Sequence, residues 1–251
     1  MRVPTLKFEL PHWPGAKLFC STRLGGCSSA PYDSLNLGDH VGDDHSHVSL
    51  NRQRLESMWG AQPVFMQQVH GTQVVRLPLP PEQAMATADA CFTQVKNVAC
   101  TVMVADCLPV LFYLPTAGVV AAAHAGWRGL AAGVIEQTLD CLAQHGSTAE
   151  CKVWLGPCIG PLAFEVGEDV RQVFGEADGE ALKGFVEISK SGKYFADLAW
   201  LAKRRLIQRG ITEVQGNDSG QAWCTFSQPE LFYSHRRDGV SGRFAVGIAL
   251  V

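Results

Sequence analysis

Short apolar runs of strand character recur along the whole chain, at KLFCST (17–22), VFMQQVH (64–70), QVVRL (73–77), VACTVMVAD (98–106), PVLFYL (109–114), GVVAAAH (118–124), CKVWLG (151–156), LFYSH (231–235) and RFAVGIALV (243–251). Helices are fewer and have readable ends. One is expected from about Gly129 to His145, where Leu130, Val134, Ile135, Leu139 and Leu142 share a face before Gly146 stops it. A second lies between Asp197, as N-cap, and Gly210, with Leu198, Leu201, Ala202 and Leu206 inward; a third is capped by Asp44 and ends before Gly60. Strands and helices are thus interspersed without regular alternation. That order points to a mixed α/β layered fold rather than a doubly wound parallel sheet or a barrel.

No long polar linker, low-complexity tract or fixed-period repeat divides the sequence, so residues 1–251 are expected to form one domain; the Pro-rich LPLPPEQ at 77–83 is short enough to be a loop. With 47% hydrophobic residues the chain can bury a substantial core. A net charge of −3 with scattered Lys and Arg offers no broad basic face, which argues against nucleic acid as the main partner. Nine cysteines without a CxxC read as reduced, and there is no apolar signal region and no run near the ~20 apolar residues of a membrane span. A soluble, cytoplasmic protein acting on a small molecule is the expectation.

Three metal-competent residues close apolar runs and are followed by turn residues. His70 ends VFMQQVH before Gly71, Cys107 follows VACTVMVAD before Leu108 and Pro109, and His124 ends GVVAAAH before Ala125 and Gly126. Strand ends followed by tight turns are where a rigid sheet presents side chains to a cleft. The separations, 37 residues from 70 to 107 and 17 from 107 to 124, match no zinc finger or ribbon, so the fold must assemble any site. Three Cys and His ligands leave one tetrahedral position open, the pattern of catalytic zinc. Each residue alone fits a buried thiol or a hydrogen-bonded strand-end imidazole; the three together point to a site. The same donors suit blue copper, with Met66 or Met103 as an axial ligand. A multicopper oxidase needs many more His ligands than eight His with a single His-x-His, His45 and His47, can supply.

Around these residues, Arg128 in AGWRG precedes the amphipathic helix and is placed to receive an anion such as phosphate beside the metal. Asp106 precedes Cys107 but should point to the opposite face. Asp89 and Glu165 are isolated carboxylates among apolar residues, read as buried hydrogen-bonding partners. SHRRDGVSGR places His235, Arg236, Arg237 and Arg243 in a Gly-rich loop suited to cover an anionic or polyhydroxyl substrate. In SLNLGDHVGDD and NRQRL, Asn36 and Arg52 are within reach of a cleft, although turn chemistry accounts for the Asn and Gly. There is no HExxH, GxSxG, P-loop or GxGxxG, and Cys158 lacks the following Cys of a nucleobase deaminase.

Taken together, QQVHG, ADCLPVLF, HAGWRG and SHRRDGVSGRFA closely resemble the YfiH family, also called the peptidoglycan editing factor or polyphenol oxidase family. The resemblance implies a single αββα domain with mixed sheets packed between helices. It also implies a catalytic zinc site, with copper the other metal ascribed, at His70, Cys107 and His124. The implied activity is phosphorolysis of adenosine, inosine and methylthioadenosine together with adenosine deamination, so the partners are purine nucleoside and phosphate; the residues placed above by sequence position to hold them are Arg128, Asn36, Arg52 and Arg236. His235 stands where the family often has Tyr. Two other readings use the same three residues: a hydrolase or amidase with Cys107 as nucleophile and His124 or His70 as base, acting on cell-wall peptides or precursors, and a copper-dependent phenol oxidase.

Overall fold

The computed structural model describes residues 6–80, 83 and 85–251. Its first half contains β1 (Ala16–Cys20), α1 (His45–Trp59), β2 (Gln62–Val64), β3 (Val74–Arg76), β4 (Ala90–Thr93), β5 (Val98–Val104), β6 (Leu108–Leu114) and β7 (Val119–Ala125). The second half adds α2 (Trp127–Ala132), α3 (Val134–Ala143), β8 (Lys152–Leu155), β9 (Glu165–Gly167), α4 (Glu168–Ala177) and β10 (Phe185–Glu187). It ends with β11 (Lys193–Ala196), α5 (Leu198–Gln208), β12 (Val214–Gly216), α6 (His235–Asp238) and β13 (Phe244–Leu250).

Two mixed sheets lie face to face between helices, the expected αββα arrangement. One has the order β1-β13-β5-β2 and the other β12-β8-β6-β7-β4-β3; a small sheet β10-β11-β9 stands apart from both. The layering follows from strand periodicity. In β6, Leu108, Val110, Phe112 and Leu114 pack with Leu130, Ile135 and Leu139 on the helix side, while Leu111 and Tyr113 join Val102 and Val246 between the sheets. On the outer face of the four-stranded sheet, Phe19, Ala99 and Ala245 receive Leu55 and Trp59 of α1. Strands buried on both faces read as continuous apolar runs, which is why 98–124 shows no alternation.

Helix ends obey their capping residues. Asp44 accepts from the Ser46 N–H and Gly60 closes α1 in the left-handed region, and Asp197 accepts from the Trp200 N–H at the start of α5. Three expectations need correction. The helix expected over 129–145 is two helices, because Gly133 at φ +99° breaks the hydrogen-bond ladder between α2 and α3. The run 64–70 leaves its sheet after Val64, since the Gln68 side chain then takes both the N–H and the carbonyl of Met103 and so replaces a strand neighbour at 2.8 Å each. The run LFYSH is irregular: Leu231, Phe232 and Tyr233 are apolar because they fill the space between the sheets, and Ser234 caps the short α6. Of the loop read at 77–83, residues 81 and 82 lie outside the described residues. None of the described helices is long and apolar enough to cross a membrane.

Candidate metal centre and its cleft

His124 lies one residue from the end of β7, with the parity of Val120 and Ala122, so its ring points between the sheets. It is buried. Cys107 stands in the turn from β5 to β6, half-buried beside the same layer. His70 sits on no strand; it is an exposed residue in a turn, at φ +60°. One residue explains how that turn is held. The fully buried Asp89 carboxylate accepts the backbone N–H groups of Val69 (3.1 Å), His70 (2.9 Å) and Gly71 (2.7 Å), and the His124 Nδ1–H at 2.8 Å. A single carboxylate thereby orients the ring of one histidine and the backbone of another.

With Nδ1 committed to Asp89, His124 presents Nε2 to the cleft, the tautomer a metal ligand requires. The ligand atoms of His70, Cys107 and His124 all lie within 4.8 Å of one another. A tetrahedral zinc with bonds of about 2.3 Å to sulfur and 2.0–2.1 Å to nitrogen sets an S···N separation of about 3.6 Å. The Cys107 Sγ to His70 Nε2 distance is 3.6 Å. Donor chemistry, spacing and the carboxylate behind His124 therefore fit zinc. For the axial Met of a blue-copper site, Met66 is packed into the core, and the Met103 sulfur lies 4.0 Å from the Arg52 guanidinium.

The charges are strongly coupled. Burial works to raise the Cys107 thiol, but the charge and hydrogen bond of His124, then those of His70, bring it down to about 6. Burial works to lower His124, but the Cys107 thiolate and Asp89 raise it to about 9. Asp89 is held below the usual carboxylate range: its burial is outweighed by the bonds from His124 and the turn 69–71. Without a metal the favoured state is thus a thiolate–imidazolium pair backed by a carboxylate.

The glycines of HAGWRG have a steric role. A Cβ on Gly126 would stand 2.7 Å from His70 Cδ2 and 2.9 Å from Cys107 Sγ, and one on Gly129 would stand 2.9 Å from the Gly71 carbonyl. Both keep α2 close against the centre.

The triad forms the floor of a cleft of about 310 Å³, within the range of small-molecule sites. Its lining is apolar and aromatic at Trp127, Ile159 and Phe164 and polar or cationic at His40, Gln68, Arg236 and Arg243, with Met103 and His235 also contributing. Of the substrate residues expected from the sequence, Arg236 is brought to the cleft, stacked 5.5 Å over Phe164 and donating to the Glu165 carbonyl. Arg128 is exposed, stacks 4.3 Å over Trp127 and does not line the cleft. Asn36 is fully buried, and Arg52 donates to the Leu37 carbonyl while stacking on Phe65; neither lines the cleft. Arg237 is committed to the carbonyls of Thr225, Phe226 and Phe232. Glu165 is exposed on β9 and paired with Lys193, not buried as expected.

Asp106 lines the same cleft as the ligands, but its carboxylate is engaged by other partners: it accepts from the Thr225 hydroxyl and the Arg236 N–H, each at 2.7 Å, fixing the segment that carries His235 and Arg236. Asp89 is the buried hydrogen-bonding partner expected, with four donors. A lone carboxylate in the apolar stretch ATADACFT had to have several partners, but they come from segments about 20 and 35 residues away.

Comparison with known proteins returns one consistent group. A family model described as multi-copper polyphenol oxidoreductase laccase matches residues 17–251. The chain is 45% identical over 250 residues to the purine nucleoside phosphorylase YfiH of Escherichia coli, covering 98% of this chain and 99% of that protein. It is 48% identical over 238 residues to a purine nucleoside phosphorylase of Pseudomonas aeruginosa, covering 94% and 95% respectively. The crystal structure of the Neisseria meningitidis protein NMB0706, at 41% identity, superposes with a TM-score of 0.88 over 96% of this chain and 97% of that one.

Proposed function

This chain belongs to the YfiH family, and on that footing we propose that it is a purine nucleoside phosphorylase acting on adenosine, inosine and methylthioadenosine, with adenosine deaminase activity in the same cleft. The observation that carries the reading is the composition of the cleft: a metal-competent triad shares it with aromatic and cationic side chains. Trp127 and Phe164 offer faces on which a purine can stack, and Arg236 is held over Phe164. The arginines of the cleft suit phosphate. Relatives named purine nucleoside phosphorylase, matched over nearly their whole length, support a purine nucleoside and phosphate as substrates.

His70, Cys107 and His124 would hold zinc, with copper as the alternative. A metal bound there supplies a Lewis acid for a substrate oxygen or for water. The protein's own part is to orient the ligands through Asp89, to exclude water from the aromatic side chains and to neutralise phosphate. The test is incubation of the pure protein with adenosine and with inosine, with and without phosphate. Expected products are free base with ribose 1-phosphate when phosphate is present, and inosine from adenosine without it. Formation of neither sinks the proposal.

One further observation favours a second reading. Cys107, His124 and Asp89 have the order and polarity of a nucleophile, its base and the carboxylate that orients the base, which suits a hydrolase or amidase acting on cell-wall peptides or precursors. If that holds, hydrolysis survives chelation and is lost on alkylation of Cys107; if the metal reading holds, chelation abolishes activity. A phenol oxidase using several coppers finds less support, since one three-ligand His/Cys cluster is present among the described residues.

A further inference from the structure

The motif LNLGDH (35–40) brings one side chain, His40, to the cleft, and it is laced to the SGR of residues 241–243. The Leu37 N–H donates to the Arg243 carbonyl at 3.0 Å and the Arg243 N–H donates to Asn36 Oδ1 at 2.8 Å. Gly38 leaves room for the arginine stem, because a Cβ there would stand 2.9 Å from Arg243 Cγ. Asn51 and Arg52 tie the motif down by donating to the carbonyls of Asn36 (2.9 Å) and Leu37 (3.0 Å). The clasp fixes one guanidinium in the cleft wall, next to His40.

How that guanidinium is held matters. Nη1 donates to the carbonyls of Ser241 (2.9 Å) and Gly242 (3.0 Å) and to the Ser241 hydroxyl. Nε and Nη2 make no hydrogen bond, and no carboxylate pairs with Arg243, among the described residues. The free Nε–Nη2 edge is the fork that binds a phosphate oxygen pair. The one acidic side chain lining the cleft, Asp106, already has both oxygens engaged by Thr225 and Arg236. Cys107 and Asp106 are the charges of the protein that act on Arg243, but neither hydrogen-bonds to its guanidinium, so the unused fork is open to an added anion.

We propose that Arg243, with His40 beside it, is the phosphate-binding group of this cleft, placed by the LNLGDH clasp. The assignment rests on the phosphorolysis reading. A phosphate oxygen held there attacks the ribose C1′, the C1′–N9 bond breaks with its electron pair going to the purine, and the proton carried by hydrogen phosphate ends on the base. The products are ribose 1-phosphate and free purine, with no other reactant. The aromatic side chains Trp127 and Phe164 take the base.

The test compares phosphate and nucleoside KM in Arg243→Gln, His40→Gln and Arg128→Ala, together with direct phosphate titration of each protein without nucleoside by calorimetry. Losing a charge-assisted bidentate contact is expected to raise phosphate KM roughly 10- to 100-fold in Arg243→Gln, with nucleoside KM within about twofold. His40→Gln, altered in an exposed loop, is expected to show a smaller rise of the same kind and guards against misfolding of the first variant. Unchanged phosphate KM in both variants, or a loss confined to Arg128→Ala, overturns the assignment. Should the wild type show no phosphorolysis at all, the functional reading fails separately. Calorimetry then decides: phosphate binding lost in Arg243→Gln sustains the anion site, and equal or absent binding in both proteins overturns it.

Discussion

Asp89 and His124 are joined by a 2.8 Å hydrogen bond between Oδ1 and Nδ1 in a fully buried setting, and the same carboxylate collects three backbone N–H groups around His70. The centre is therefore organised from behind, by a buried residue that does not line the cleft. Two of its three donors depend on one side chain, which makes that side chain the most sensitive point of the site outside the ligands themselves.

Asp89→Asn is expected to weaken zinc binding roughly 10- to 100-fold, the range for loss of a carboxylate that orients a metal-bound histidine. An amide keeps an acceptor oxygen but brings an N–H against donors that the carboxylate satisfied. Competition with a chromogenic chelator measures the effect. Wild-type affinity in a folded Asp89→Asn protein would contradict it.

The charge state of Cys107 gives a pH prediction. Its thiol is lowered to about 6 from the ordinary 9, so thiolate forms at lower pH than usual. In metal-free protein, alkylation by iodoacetamide should rise with pH and reach half its plateau near pH 6. His124→Gln removes the cation that lowers it and leaves burial unopposed by that ring, so the midpoint moves upward. A wild-type midpoint above pH 8 would refute the thiolate–imidazolium pair. Zinc that slows the alkylation identifies Cys107 as a ligand.

Much of this was legible in the sequence because burial is written in residue type. The runs 98–106, 109–114 and 118–124 gave β5, β6 and β7, and Asp44, Gly60 and Asp197 marked helix ends, since caps act through neighbouring residues. His124 and Cys107 could be placed by their position after apolar runs. His70 ends an apolar run but sits in a turn held by Asp89, not at a strand end. What stayed hidden depends on partners remote in sequence. Nothing near Arg243 reveals that Asn36 and Leu37 hold it, more than 200 residues away. Arg128 is close to His124 in sequence, but a residue four positions on, at the start of a helix, turns outward onto Trp127.

Gly126→Ala separates the site from the fold. At φ −63° and ψ 159° the backbone suits alanine, so no conformational penalty attaches to the change. The added methyl instead meets His70 and Cys107 at 2.7 and 2.9 Å and must displace one of them. Metal content after dialysis should fall by more than half while the thermal midpoint of the metal-free protein moves little. Full metal occupancy would show that the ligands can shift without cost and that Gly126 is not needed there.

Asn36→Asp tests the clasp with an isosteric change. Asn36 Nδ2 donates to the Gly38 carbonyl (3.0 Å) and to Asp43 Oδ2 (2.8 Å), while Oδ1 accepts from Gly38 and Arg243. In the aspartate variant an oxygen replaces Nδ2 and faces two acceptors, one of them a carboxylate, in a fully buried position. Charge repulsion and two lost bonds there should lower the unfolding free energy by about 3 kcal/mol or more, measured by urea denaturation at neutral pH. The same change loosens the backbone that presents Arg243, so phosphate KM should rise more than nucleoside KM in whatever fraction remains folded. A variant with wild-type stability would show that Asn36 does not depend on its amide. One that loses stability but keeps an unaltered phosphate KM would show that the guanidinium is placed without the clasp.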